Sequence, residues 1–150
     1  MNLVGDCQGG WLAVVYAALH PSHVNTLTIA GAPIDTHAGK SAMQEWTRLI
    51  ARRNNIDFYR ALVKLGGGLQ LGKSQLRGFK MLEPGAEMDR LMRLLANIDD
   101  HDFIARHIAF TNWFEWTQAV PGAFYLWIVE HLFVNNELAR GVLVVHGARV

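Results

Sequence analysis

Apolar positions near the N-terminus run almost without interruption. Met1-Asn2-Leu3-Val4 leads into Gly5-Asp6-Cys7-Gln8-Gly9-Gly10, and WLAVVYAAL follows from Trp11. Residues 1–4 read as a short buried strand. The alanine- and leucine-rich run reads as a helix over about residues 9–19, stopped at Pro21, whose ring cannot continue a helix and pushes His20 toward extended geometry. Residues 24–30 (VNTLTIA) are rich in β-branched side chains and end at Gly31 and Pro33, which marks a second strand. Strand, tight turn, helix and strand make one βαβ unit, with parallel strands and a right-handed crossover expected.

Beyond Pro33 the pattern becomes helical. Ser41 and Gln44 spell a capping box. The run 42–53 then places Met43, Trp46, Leu49 and Ile50 on one face. A short helix is expected at Asp57–Leu65, a glycine-rich basic loop at 66–80, and a turn at Glu83-Pro84-Gly85. Helices are expected at 86–97, 102–116 and 123–135, the last with Pro121 near its first turn. Residues 143–146 (LVVH), followed by Gly147, suggest a final strand or half-hairpin. No internal repeat or flexible linker interrupts this order. The fold class expected is α/β, a βαβ core with a long helical insertion: core residues 1–36, insertion 37–120, and return to the core over 121–150. The chain opens inside a strand and closes as another begins, so the domain is expected to be truncated at both ends, because a lone strand pair leaves exposed edges.

Composition removes whole classes. The 150 residues are 51% hydrophobic and 18% charged, which excludes a disordered or collagen-like chain. Fourteen basic and thirteen acidic residues leave a net charge of +1, with no electrostatic footprint for nucleic acid or an anionic membrane. One cysteine rules out an intrachain disulfide framework. No apolar run reaches the ~18 residues of a membrane span, and no basic segment precedes Trp11 as in a signal peptide. A cytoplasmic protein is the simplest expectation.

The candidate chemistry begins at Cys7. A small-x-nucleophile-x-small pattern between a strand and a helix is a nucleophile elbow. The sharp turn forces strained backbone at the nucleophile, so Gly5 and Gly9 must be small. Cys7 would project from the top of the sheet at a helix N-terminus, where the dipole and free amides favour negative charge. The Gln8 backbone N–H would be one oxyanion donor. The alternatives are a glycine turn with an incidental cysteine, although the spacing fails G-x-G-x-x-G, or an inert core thiol. Residues 67–74 (GGLQLGKS) fit G-x-x-x-x-G-K-[ST], the phosphate-loop spelling, which would make the chain a nucleotide-binding module. That reading needs a buried strand before the loop, whereas Asp57–Leu65 has helical spacing, so a cap loop is preferred. His20 and His23 flank Pro21 at a helix end and read as surface residues. His101 and His107, near Asp99, Asp100 and Asp102, match no familiar metal spacing. His131 reads as a helix-face residue, and His146 lies at the terminal strand. Phe110, Trp113, Phe114, Trp116, Phe124, Tyr125 and Trp127 form either the core of the helical insertion or the lining of an apolar ligand site. No cofactor or metal site is expected.

At these residues a resemblance appears. Gly5-Asp6-Cys7-Gln8-Gly9-Gly10 resembles the G-x-C-x-G-G lipase-like box of polyhydroxyalkanoate synthases. Residues 27–36 (LTIAGAPIDT) resemble the strand and G-x-P-[IV]-D segment shared by those enzymes and intracellular polyhydroxybutyrate depolymerases. Residues 124–150 resemble the family stretch in which a Tyr-Leu helix leads to Asn-x-Leu and G-x-x-V. The resemblance implies a partial α/β-hydrolase fold with a helical cap, and acyl transfer through a covalent Cys7 thioester. The substrates implied are hydroxyacyl-CoA thioesters or polyhydroxyalkanoate chains. It also implies a histidine and an aspartate beyond Val150, and N-terminal strands carrying a second oxyanion amide, so this stretch alone would be inactive. A homodimer is left open as an assembly state. A non-catalytic relative serving as an interaction module is the alternative.

Overall fold

A computed structural model describes residues 1–39, 45, 49 and 56–150. In chain order the elements are β1 (Asn2–Asp6), α1 (Gln8–Leu19), β2 (Thr26–Ala30), α2 (Asp57–Leu65), β3 (Leu69–Gln70), α3 (Gly72–Leu82), α4 (Pro84–Ala96), α5 (His101–Glu115), β4 (Val120–Pro121), α6 (Gly122–Trp127), β5 (Val144–Val145) and β6 (Ala148–Arg149). A 3-10 turn at Pro21–His23 follows α1, and a π-helical segment at Ile128–Val134 follows α6. The amphipathic run 42–53 and its capping box lie outside the described residues, apart from Glu45 and Leu49. The chain forms two compact units, Met1–Phe58 with Leu126–Val150, and Tyr59–Tyr125.

In the first unit β1 and β2 pair in parallel, from Asn2 opposite Thr26 to Asp6 opposite Ala30. The connection passes through α1, as the βαβ pattern requires. α1 seats closely because small residues line the contact. A Cβ on Gly5 would fall 2.6 Å from the Gly9 carbonyl oxygen and 2.8 Å from Ala13 Cβ. A Cβ on Gly10 would fall 2.3 Å from Ala32 Cβ. Trp11 and Ala13 are buried on the same helix. The strands themselves depart from the buried reading: Val4 is 73% exposed, and Leu27 and Ile29 are also open. Ile29 stays open although its Cγ2 lies 3.0 Å from the place of a Cβ on Gly10, so α1 covers the strand pair only in part. The return through the π-helical segment contributes Ile128, Val129 and Leu132 to the interior, with Leu138 and Leu143 beyond it. β5 and β6 form a short antiparallel hairpin, with Val144 opposite Arg149 and His146 and Gly147 both at positive φ in the turn. Two adjacent positive-φ residues suit the twist of a tight hairpin.

The second unit is helical, with β3 and β4 paired antiparallel. The stretch 66–80, expected to be a loop, holds the turn at Gly66–Gly68, β3 and most of α3. One glycine inside a helix, here Gly78, costs about 1 kcal/mol, and the good helix formers around it offset that. Lys80 on α3 pairs with Glu115 at 3.0 Å and Glu87 at 3.6 Å, tying α3 to α5 and α4. Glu87 also pairs with Arg90 at 3.1 Å, and the Arg90 guanidinium lies over Phe110 and Phe114 at 5.4 and 5.7 Å. α4 thus turns Glu87 and Arg90 toward its neighbours and leaves Met88, Leu91, Met92 and Leu95 exposed. Tyr59 and Tyr125 meet with ring centroids 6.2 Å apart. Burial, and then the Tyr59 charge, pushes the Tyr125 phenol up to about 12.

Candidate functional site

The turn between β1 and α1 is a single residue. Cys7 holds φ 49° and ψ −122° at the N-cap of α1, a backbone region that a residue with a Cβ rarely enters. The strain is held from both sides. Cys7 N donates to Ala30 O at 2.9 Å, stitching the turn to the end of β2, and Gly10 N donates to Cys7 O at 3.0 Å. The side chain is exposed and unpaired as a disulfide. Gln8, also exposed, opens α1, so its N–H has no intrahelical acceptor. Close packing at this corner falls on Gly5 and Gly10. Gly9, expected to be constrained, has nothing within 4 Å of the place a methyl group would occupy, so its smallness is not sterically required.

Behind the turn, residues 31–37 form a strap. Gly31 takes φ 60°, and Ile34 N donates to Ala32 O at 2.9 Å. Trp11 Nε1 donates to Pro33 O at 3.0 Å, and its ring meets Phe133 edge-on at 5.5 Å. The far end of the strap grips the end of the π-helical segment. Thr36 Oγ1 donates to Leu132 O at 3.0 Å, and His37 Nε2 donates to Phe133 O at 3.0 Å. Asn136 Nδ2 donates to Asp35 Oδ1 at 2.7 Å, while Asn136 Oδ1 accepts from Thr36 N at 3.2 Å. The Asn136 amide, and after it the His37 N–H, hold the Asp35 carboxyl below its ordinary 3.8. The sequence context of Asp35 points to no chemical role, and Asn136 carries no signal beyond an asparagine following an apolar helix, a place where left-handed backbone is common.

The other sequence candidates have partners of their own. His20 and His23 stack at 5.4 Å, with Tyr16 Oη 3.2 Å from His23 Nδ1. His131 pairs with Glu137 at 2.8 Å under Trp127. Asp100 caps α5 by accepting from Phe103 N at 2.9 Å, which accounts for one member of the acidic group around His101. Among the described residues no cluster of three or more His, Cys, Asp or Glu side chains could hold a metal ion. A helix, α2, and not a strand leads into Gly67, so the phosphate-loop spelling lacks its structural frame. No helix of the described residues is long and apolar enough to cross a membrane.

Residues 2–150 match the model of the family described as "Protein of unknown function (DUF3141)", and the chain belongs to that family. It is also similar over its whole length to the poly(3-hydroxyalkanoate) polymerase subunits PhaC of Haloferax mediterranei and Allochromatium vinosum. Each is 24% identical, and the chain covers 30% of the first and 40% of the second. A protein of Rhizobium meliloti named "Uncharacterized protein in ackA 5'region" is 28% identical over 93% of the chain, which covers 19% of it. The chain therefore spans well under half the length of these relatives. No solved structure matches it.

Proposed function

We propose that this chain carries the nucleophile segment of an α/β-hydrolase-like acyltransferase acting on hydroxyacyl thioesters or polyhydroxyalkanoate chains, with Cys7 as the nucleophile. The observation that carries the reading is the exposed Cys7, held at φ 49° and ψ −122° between a strand and a helix. Likeness to polymerase subunits along the full chain supports the substrate class. Strain of this kind costs on the order of 1–3 kcal/mol and persists only where surrounding structure enforces it. Cys7 is exposed, and the Gln8 N–H next to it has no acceptor within α1, which suits the pair to a nucleophile and an oxyanion donor.

In the reaction the Cys7 sulfur, its proton removed by a base, attacks the acyl carbonyl. The S–C bond forms as the carbonyl π pair moves to oxygen, and the Gln8 N–H donates to that oxyanion. Collapse expels the leaving thiol with its electron pair and returns a proton to it, leaving an acyl thioester on Cys7. A hydroxyl terminus then takes the acyl group for chain growth, or water takes it for hydrolysis.

The test uses the full-length protein. Incubation with 3-hydroxybutyryl-CoA and mass spectrometry of the Cys7 peptide should reveal one added hydroxyacyl group, absent in Cys7→Ser. Turnover that survives in Cys7→Ser, or Cys7 alkylation by iodoacetamide no faster than that of free cysteine, sinks the assignment.

A further inference from the structure

Asn136 lies just beyond the π-helical segment, 5% exposed, with φ 50°. A buried amide left unpaired is costly, and this one commits both ends to the strap behind the elbow. Its Nδ2 donates to Asp35 Oδ1 at 2.7 Å and its Oδ1 accepts from Thr36 N at 3.2 Å. The strap is in turn continuous with the corner that holds Cys7. Cys7 N donates to Ala30 O, Ala32 Cβ sits where a Gly10 side chain would be, and Pro33 O receives Trp11 Nε1. A strained residue keeps its conformation only while its neighbours over-determine it.

We propose that Asn136 is a positioning residue for Cys7, holding Asp35 and Thr36 so that the strap fixes the presentation of the thiol. This rests on the reading of Cys7 as the nucleophile. The bond is directional: an amide at 136 donates and a carboxylate at 35 accepts. Exchanging the two groups therefore reverses the donor and preserves the bond, whereas Asn136→Asp alone places two carboxylates together with no donor between them, and Asp35→Asn keeps an acceptor oxygen and loses only the charge.

The experiment compares Asp35→Asn, Asn136→Asp and the double exchange in the full-length protein. Iodoacetamide modification of the Cys7 peptide is timed by mass spectrometry across neutral pH, with thermal melts in parallel. Asn136→Asp should slow Cys7 modification about tenfold, within the loss that misplacing a reactive group brings, Asp35→Asn should stay near the wild-type rate because the bond survives, and the double exchange should restore the wild-type rate. A purely structural role would lower the melt without changing the rate of folded protein, and that result overturns the proposal, as does a double exchange that folds and stays slow. Fast wild-type Cys7 with an unaffected Asn136→Asp variant overturns this inference alone. Wild-type Cys7 no faster than free cysteine overturns the nucleophile reading and this one with it. Should Asn136→Asp fail to fold, Asn136→Gly, which accepts φ 50° and removes the amide, carries the same expectation, and a wild-type rate in it is equally fatal.

Discussion

A single methyl group at position 10 tests how tightly α1 is seated under the elbow. A Cβ at Gly10 would lie 2.3 Å from Ala32 Cβ and 3.0 Å from Ile29 Cγ2. Carbon atoms settle at ~3.5–4.0 Å, so α1 or the strap must retreat by about 1 Å. Overpacking of this order costs about 1–3 kcal/mol. For a chain of this size each kcal/mol moves the melting temperature by about 2–4 °C, so Gly10→Ala should melt about 2–12 °C below wild type. Gly9 supplies the control on the same turn. Nothing lies within 4 Å of a methyl there, and alanine exceeds glycine as a helix former by up to about 1 kcal/mol. Gly9→Ala should therefore melt at or slightly above wild type. Circular dichroism melts of the two variants decide it. A wild-type melt for Gly10→Ala, or an equal fall for Gly9→Ala, would refute the close approach of α1 to Ala32.

Trp11→Phe removes the donor to Pro33 O, which sits 3.0 Å away, and should cost about 1–2 kcal/mol in urea unfolding; an unchanged midpoint contradicts that bond's contribution. Asp35 has a folded value below its ordinary 3.8, so its stabilisation is present above that pH and is lost as pH falls through the folded value. Asp35→Asn should therefore flatten the acid limb of the stability curve below about pH 4 and leave its slope near neutrality unchanged. Tyr125 moves the other way: its phenol is raised from 10.0 to about 12, so its contribution is complete below pH 10.0 and disappears as pH rises toward 12. Burial raises Tyr59 as well, so ultraviolet difference titration should show Tyr59 and Tyr125 ionising late, and Tyr125→Phe should remove the later phase; a wild-type curve without it contradicts the burial of this phenol.

What could be read from the sequence was local. The elbow is spelled by neighbours within a few residues, and Pro21 and Gly31 punctuate the helix and strand around it, so β1, α1 and β2 were legible with their parallel pairing. Gly9 shows the limit of a spelling: it fits the small-residue pattern, but its space is open, and the tight position is Gly10. The glycines of 66–72 led to a loop reading through residue 80, whereas α3 starts at Gly72, which is pressed against the Gln118 carbonyl and Thr117. That contact is made by residues far along the chain. The expected helix over 123–135 becomes α6 and a π-helical segment, and carbonyls of Leu132 and Phe133 bond Thr36 and His37 instead of only their own helix. Periodicity carries no information on such partners. The Asn136–Asp35 pair was invisible for the same reason, because the two residues are 101 positions apart.

That clasp has a consequence for how the molecule can change over time. Bonds from Asp35 and Thr36 to Asn136 close a ring of chain that contains the whole of Tyr59–Tyr125. The entropy of closing such a ring depends on the logarithm of its length, and doubling it costs only about 0.6 kcal/mol. The enclosed segment can therefore lengthen, shorten or be exchanged between relatives at a penalty smaller than one hydrogen bond, while the knot at its base stays fixed.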